Sequence, residues 1–448
     1  MLLQRCIFSP VLIRIVCTLW LWVIALQLPA FAQERLTLQS ALSYALDHNF
    51  AIKLGKNTQH IAEVNNTLGN AGMLPILNLN ATFTGASNNI RQVFLRDNAV
   101  QELDRAHSDQ LNSNVQMIWT LFDGLAMFAS KDRLEKMEAQ SGTALRNTIE
   151  FTISSVMQSY ATILQQQYLL IAQRDALAIS RERYRIAETK IGIGAASSLD
   201  VLQARNDMNA DSAAVLRQLA IIANAKNQLN VLLGRSAMIP FEAVDSLSMP
   251  TQTFSLENLK QRIEQQNTAL QFARMSIALT EQDIAVARAQ HLPDINLIAT
   301  VGFNRGQQNF GLVGLNQNQF SSVGLQVSLP LFAGFNIERQ VETASLARAS
   351  AQLTLLQLQL QTEAQIATLL RDYENSVQLA QFEQEGLSAA RQNAKIAIEK
   401  YRLGGLSSIE LRDVQRTLFA AESRFYAALL NARLSETEIL RLSGQLVK

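Results

Sequence analysis

Several residue types are scarce in this sequence, and each scarcity removes a class of function. Of 448 residues only two are cysteine, Cys6 and Cys17. Both fall in a segment that reads as a secretory signal over residues 1–32: Arg5 and Arg14 lead into an apolar run from Ile15 to Leu28, and Ala30-Phe31-Ala32 supplies a small-x-small cleavage pattern. As a membrane anchor the run falls short of the roughly 20 residues that a spanning helix needs, and Cys17 lacks the neighbours of a lipoprotein site. Cleavage after Ala32 leaves no cysteine, which excludes disulfides and thiol chemistry. Four histidines, His48, His60, His107 and His291, stand far apart at no metal-ligand spacing. No Ser-His-Asp signature, phosphate loop or dinucleotide fingerprint occurs, and Gly192-x-Gly194 is too short to count. No enzyme, metal or cofactor is expected. Charged residues make up 17% and aromatics 6%, with 39 basic against 38 acidic residues, so nothing here resembles the basic surface of a nucleic-acid binder. After residue 32 no stretch is apolar enough for a transmembrane helix. An exported chain of this kind is periplasmic, secreted or inserted in an outer membrane as a barrel.

Proline and glycine are scarce in a patterned way. No proline lies between Pro75 and Pro240 or after Pro330. Between Gly124 and Ile191 the only glycine is Gly142, and between Gly334 and Leu403 it is Gly386. Both stretches read as single helices of about 67 residues, or about 100 Å at 1.5 Å per residue. Leu145, Ile149, Val156, Tyr160, Ile163 and Leu170 step by three, four and seven, as do Leu353, Leu356, Leu360, Ala364, Ala367 and Leu370, which predicts a coiled-coil-like seam on each. Glycine turns end both: Gly194-Ala195-Ala196-Ser197-Ser198-Leu199-Asp200, and Gly404-Gly405-Leu406-Ser407-Ser408-Ile409-Glu410, Gly194 and Gly404 being 210 positions apart. Return helices are expected from Leu199 to Leu233 and from Ile409 to Leu442.

The chain thus reads as two tandem units, 33–235 and 255–448, joined by a linker, 236–254, that holds Pro240 and Pro250 and one short strand between Met238 and Val244. Leu74-Pro75 and Leu292-Pro293 are 218 apart, while Leu121-Phe122-Asp123-Gly124 and Leu331-Phe332-Ala333-Gly334 are 210 apart. Each unit opens with a helix, roughly Leu38 to Gly72 and Leu256 to Gln290, which Pro75 or Pro293 ends. Then the period changes to two. Leu77, Leu79, Ala81 and Phe83 alternate with Asn78, Asn80, Thr82 and Thr84; Ile295 to Phe303, Val115 to Leu121 and Val323 to Leu331 alternate likewise. Runs of about 9–11 residues suit tilted strands crossing a bilayer. They also suit a small soluble sheet. Four strands cannot close a barrel, and an open sheet leaves unpaired edges; three copies would pool twelve.

The signal, the tandem units, Leu-Pro before each strand pair, Leu-Phe-x-Gly after it and the two glycine turns together resemble the TolC family of outer-membrane efflux proteins over essentially the whole mature chain. The resemblance implies a mainly α fold with a small β-barrel portion: a homotrimer with a twelve-strand barrel in outer-membrane lipid and a twelve-helix tunnel through the periplasm. Pro75, Pro293, Gly124 and Gly334 would mark the helix-to-barrel junctions. It implies a periplasmic adaptor protein and an inner-membrane transporter as partners, and passive export of small molecules. The hairpin tips, Gly194, Ala195, Gly404, Gly405 and Leu406, would meet the adaptor. Asp200, Tyr401, Glu410 and Asp413 match the family's periplasmic gate and acidic ring, whereas Leu406 replaces the arginine that ties the closed state in better-known members. Helix capping is the competing reading for two of these carboxylates, since Ser407-x-x-Glu410 fits a capping box and Ser197-x-x-Asp200 a looser one. An exit duct for protein secretion shares the architecture, and a periplasmic coiled-coil scaffold would share the helices.

Overall fold

The computed structural model describes residues 34–446, so the signal-peptide reading lies outside the described residues. Fourteen elements follow in order: β1 (Glu34–Leu36), α1 (Leu38–His48), α2 (Phe50–Asn65), β2 (Ile76–Val93), β3 (Val100–Asp123), α3 (Ala126–Gly192), α4 (Ser198–Leu232), β4 (Phe241–Ala243), α5 (Leu256–Gln266), α6 (Thr268–Ala289), β5 (Asp294–Gln308), β6 (Leu315–Ser328), α7 (Asn336–Arg402) and α8 (Ser408–Leu442). From α1 the order helix, helix, strand, strand, long helix, shorter helix occurs twice. No helix among the described residues is long and apolar enough to cross a membrane.

The two long helices are each 67 residues, and their antiparallel partners each 35. The seam on α3 is as expected, with Val156, Tyr160, Ile163 and Leu170 buried. On α7 the seam falls elsewhere. Ile366, Tyr373, Ala380, Leu387, Ala394 and Tyr401 are buried at steps of seven, while Leu353 and Leu360 are 66% and 69% exposed. Sequence periodicity found the leucine stripe but not the face that this chain covers; Ile366 and Tyr373 cluster instead with Leu259 and Ile263 of α5, Leu270 of α6, and Ile439 and Leu442 of α8.

Each opening helix is broken rather than continuous. Asn49 ends α1 and caps α2, its Oδ1 accepting from the Ala51 and Ile52 amides and its Nδ2 donating to the Leu232 carbonyl at 2.6 Å. Asn267 does the same between α5 and α6, capping Leu270 and donating to the Leu442 carbonyl at 3.0 Å. Each asparagine thereby fastens the kink to the end of the return helix, satisfying groups that a helix terminus leaves unpaired. Two further differences concern strands. β1 was not anticipated; it pairs parallel with β4, and the expected strand in 236–254 shrinks to three residues. Tyr160 holds this region to α3 by donating to the Leu36 carbonyl at 2.8 Å and bonding Asp245 at 2.9 Å.

The four long strands form one antiparallel sheet in the order β2-β3-β5-β6. They run 18, 24, 15 and 14 residues rather than 9–11, because pairing continues through the Asn, Gln, Ser and Thr stretches that lack an apolar signal. The register aligns like with like. Leu77, Met117, Ala299 and Val323 stand side by side across the sheet, as do Leu79, Val115 and Val301. On the opposite face Thr82, Asn112, Asn304 and Asn318 form one row, and Asn78, Gln116, Thr300 and Ser322 another. One face is therefore aliphatic and the other amide- and hydroxyl-rich, with β2 and β6 as open edges.

The sheet joins the helices through paired left-handed residues. Gly124 and Leu125 have φ of 70° and 74°, and Gly334 and Phe335 have 63° and 59°. Two such residues in succession reverse the chain from strand into long helix, a conformation that glycine supplies at the first position without steric cost.

Candidate functional site

The end of the molecule farthest along α3 and α7 from the sheet is built from the two glycine turns, which share one hydrogen-bonding pattern. Gly194 and Gly404 have φ of 72° and 79°. In each turn the following amide bonds back to a carbonyl in the last helical turn, Ala195 to Lys190 and Gly405 to Lys400, both at 2.8 Å. The next helix starts on a reciprocal cap. The Ser197 hydroxyl accepts from the Asp200 amide while the Asp200 carboxylate accepts from the Ser197 amide at 2.9 Å. Ser407 and Glu410 repeat this, the Glu410 carboxylate accepting at 2.8 Å. Capping is thus realised at both turns. Hydrogen bonds with Ser197 and Ser407 hold the Asp200 and Glu410 carboxyls below their ordinary values; Glu410 is exposed and Asp200 half-buried. Asp413, one turn beyond, is also exposed and lines a groove with Arg183, Asp207 and Arg412.

Tyr401 differs in being 4% exposed. The Lys190 ammonium sits 4.8 Å from its ring centre, and Lys190 Nζ donates to the Tyr401 carbonyl at 3.4 Å. Burial raises the Tyr401 hydroxyl above its ordinary value, opposed by a hydrogen bond with Ser408 and by the Arg183 charge, and reinforced by Asp200. Tyr401 and Asp200, one from each unit, thus share one electrostatic neighbourhood. Leu406 is half-buried against the cluster of Ala397, Tyr401 and Leu411. The aliphatic groups that project at the tips are Ile193 and Leu403, 77% and 87% exposed, while Gly194, Ala195, Gly404 and Gly405 present backbone.

Just behind the tips lies a polar cluster that the sequence reading missed. Arg412 on α8 clamps Asp211 on α4 through Nη1 at 2.6 Å and Nη2 at 3.0 Å, and its Nε lies 3.6 Å from Asp207. Arg183 on α3, 1% exposed, pairs with Asp207 and donates to the Ser408 carbonyl at 3.3 Å. Gln415 donates to Ser180 at 2.9 Å and to Asp211 at 3.1 Å. Burial pushes the Asp211 carboxyl up, but Arg412 and Ser180 outweigh it and leave the carboxyl below its ordinary value. Asp207 and Asp211, one turn apart, were the available signal: two carboxylates on one helix face call for a cation. Among the described residues no three or more His, Cys, Asp or Glu side chains are grouped as metal ligands would be.

With this geometry in place, the profile of the family described as outer membrane efflux protein matches residues 41–235 and 259–445. The chain belongs to that family. Among its relatives, the toluene efflux pump outer membrane protein TtgC of Pseudomonas putida is 24% identical over 68% of this chain. This chain spans 62% of that relative's length. The pyoverdine export outer membrane protein OpmQ of Pseudomonas aeruginosa is 26% identical over 86% of the chain and 79% of its own length. The CmeC outer membrane channel of Campylobacter jejuni shares the fold with a TM-score of 0.77 at 17% identity, covering 92% of this chain and 87% of its own. The mainly helical architecture with one long-stranded sheet is therefore that of outer-membrane channels.

Proposed function

We propose that three copies of this chain close into an export duct: a twelve-strand barrel in outer-membrane lipid continued by a twelve-helix tunnel into the periplasm. The observation that carries this reading is how the exposed apolar surface is distributed. Within the chain, α3 of the first unit packs on α6 and α8 of the second. The corresponding elements at the open ends are α7 on one side and α2 and α4 on the other. These carry exposed apolar residues: Leu353 and Leu360 on α7, Leu54 and Ile61 on α2, Leu202 and Leu216 on α4. The sheet has the same incompleteness, since β3 pairs with β5 across the units while β6 and β2 have unfilled edges. A head-to-tail ring repeats the within-chain junction between copies and covers every one of these surfaces. Two copies would give eight strands, an interior that side chains fill; three leave a water-filled lumen. The aliphatic face of the sheet then meets lipid and the amide face lines the lumen.

The duct has no energy source of its own. Ile193 and Leu403 at the six tips would contact an adaptor protein coupled to an inner-membrane transporter, and the names of the relatives point to small molecules as cargo. Around the axis Glu410 and Asp413 would each occur three times, an acidic constriction that concentrates cations, with Tyr401 and Asp200 joining the two hairpins of each chain beside it. Glu410 serves both as cap and as ring member.

The test is single-channel recording of the purified protein in planar bilayers. A steady water-filled pore is expected, and Glu410→Ala with Asp413→Ala should weaken block by divalent cations and lower cation selectivity. A protein that never conducts would overturn the duct, and an unchanged selectivity would overturn the acidic ring.

A further inference from the structure

We propose that Gly302 sets the free width of the barrel lumen: it leaves a notch on the amide face of the sheet, and the Phe320 ring is stowed there. The inference rests on the three-copy duct, in which that face lines the lumen.

The rows through Thr82 and through Asn78 flank a third. Asn80 on β2, Asn114 on β3, Gly302 on β5 and Phe320 on β6 stand side by side across the amide face. Asn80 Nδ2 donates to Asn114 Oδ1 at 3.2 Å. From Ile76 to Asn88, Ala106 to Thr120, Asn296 to Gln308 and Asn316 to Ser328, every second residue faces this way. Among these residues Phe320 is the one aromatic, and no residue is charged.

A glycine inside a strand forgoes packing and marks a place where another group comes close. A Cβ on Gly302 would lie 2.6 Å from the Phe320 Cζ, 2.8 Å from its Cε1 and 2.9 Å from the Asn114 Cβ. The ring therefore lies across the glycine, in the space that a side chain would fill. Gly306 and Gly324, on the same face, have nothing within 4 Å of the same position. The notch is thus particular to Gly302. Covering the glycine removes ring surface from water, and Phe320 is half-buried.

Nothing else nearby could receive the ring. On the same face its neighbours along β6 are Asn318 and Ser322, and those across on β5 are Asn304 and Thr300. Driven out of the notch, Phe320 would meet only amides and hydroxyls, and the ring would turn toward the axis. Three copies would then bring three rings into one lumen. Since no charge lines this stretch, cargo is sorted here by size. Phe320 is the group that would obstruct, and Gly302 is the positioning residue that keeps it aside.

Single-channel recording with neutral polyethylene glycols of graded mass, added on the outer side alone, measures the largest polymer that enters from that side. Gly302→Ala adds one methyl group but displaces a ring, so the cut-off should fall about two-fold in polymer mass. Gly324→Ala adds the same methyl with nothing to displace and should match the parent, as should Gly302→Ala combined with Phe320→Ala. A Gly302→Ala cut-off equal to the parent's, or one that stays low once Phe320 is also removed, would overturn the notch. Should the Asn114 contact prevent Gly302→Ala from assembling, a second pair decides the same question with the glycine intact. Ser322→Phe, a ring opposite Thr300 with no notch to enter, should lower the cut-off, while Phe320→Ala should leave it unchanged. A cut-off raised by Phe320→Ala as far as Ser322→Phe lowers it would overturn the stowed ring. The lumenal reading is checked separately by Phe320→Trp in a Trp119→Phe background, Trp20 and Trp22 lying in the signal segment. Its fluorescence should be quenched by aqueous acrylamide; quenching by brominated lipid tails instead would overturn the duct assignment of this face on which the notch rests.

Discussion

Gly124→Val is expected to yield a chain that fails to fold, whereas Gly334→Val should yield one that folds and fails to assemble. Both glycines occupy the left-handed region, with φ of 70° and 63°, which a β-branched residue adopts at a cost of about 1–2 kcal/mol or more. Their surroundings differ. A Cβ on Gly124 would lie 2.3 Å from the Ala289 carbonyl oxygen and 2.9 Å from the Leu292 Cβ, neither of which is the free end of a flexible side chain. The end of α6 would have to move away from the strand-to-helix junction, bringing the total to the order of 4–5 kcal/mol, a large part of the stability of most domains. At Gly334 only the Asn336 amide comes within 4 Å, at 3.8 Å. In the ring, the residues that correspond to Ala289 and Leu292 are Ala71 and Leu74 of the next copy, so the collision appears only on assembly. Far-ultraviolet circular dichroism and heat-modifiable gel migration distinguish the two outcomes. Equal behaviour of the two variants as isolated chains would contradict this account.

Arg412→Ala should be the most damaging single change in the helical body. It leaves Asp211 with no guanidinium and Asp207 with Arg183 alone, and removing one partner of a buried pair costs about 3–5 kcal/mol. The effect of pH has a definite sign. In the parent protein the Asp211 carboxyl sits below its ordinary value of 3.8. Its contribution is therefore complete above that value and is lost only as pH falls through the depressed folded one. Between pH 5 and 8 the Arg412–Asp211 pair should be insensitive to pH. In Arg412→Ala, only the Ser180 and Gln415 hydrogen bonds still oppose burial at Asp211, and its carboxyl moves upward. The variant should then lose further stability as pH rises through that higher value, so the gap between the two proteins is smaller at pH 5 than at pH 8. Chemical denaturation at both pH values measures it; a gap that widens at pH 5 would contradict the assignment of the cost to the buried carboxylate.

What could be read in the sequence was what local chemistry determines. Proline-free and glycine-poor stretches gave both long helices to within a few residues, since helix propensity and the stop signals at Gly194 and Gly404 act within a turn or two. The reciprocal caps on Ser197 and Ser407 were legible for the same reason. The kinks at Asn49 and Asn267 were not, because each asparagine is stabilised by a carbonyl 183 or 175 positions away, and no local pattern encodes that partner. Strand lengths were underestimated because ladder pairing needs no apolar side chain, only an extended neighbour. The leucine stripe on α7 was found and misplaced: periodicity identifies an apolar face without saying whether the same chain or another copy covers it. Arg183 and Arg412 went unnoticed since charged residues on a mainly polar helix give no sign of burial. At the tips the sequence showed the caps of Asp200 and Glu410, but the half-burial of Leu406 and the contact of Lys190 with Tyr401, 211 positions away, depend on two hairpins meeting.

The central claim is that β6 of one copy pairs with β2 of the next, and its register follows from the pairing within the chain. Val115 stands opposite Val301 where β3 meets β5; carried to the open edges by the 210- and 218-residue correspondences, this places Leu325 opposite Phe83 of the neighbouring copy. Directly opposed residues in a ladder have Cβ atoms about 4.5–5.5 Å apart, close enough for a disulfide to form with small adjustment. In a background without Cys6 and Cys17, Phe83→Cys with Leu325→Cys should therefore oxidise to a covalent trimer on a non-reducing gel, and neither single variant should. A double variant that remains monomeric after oxidation in outer membranes, while the same treatment crosslinks a within-chain pair such as Val115→Cys with Val301→Cys, would contradict the closed barrel.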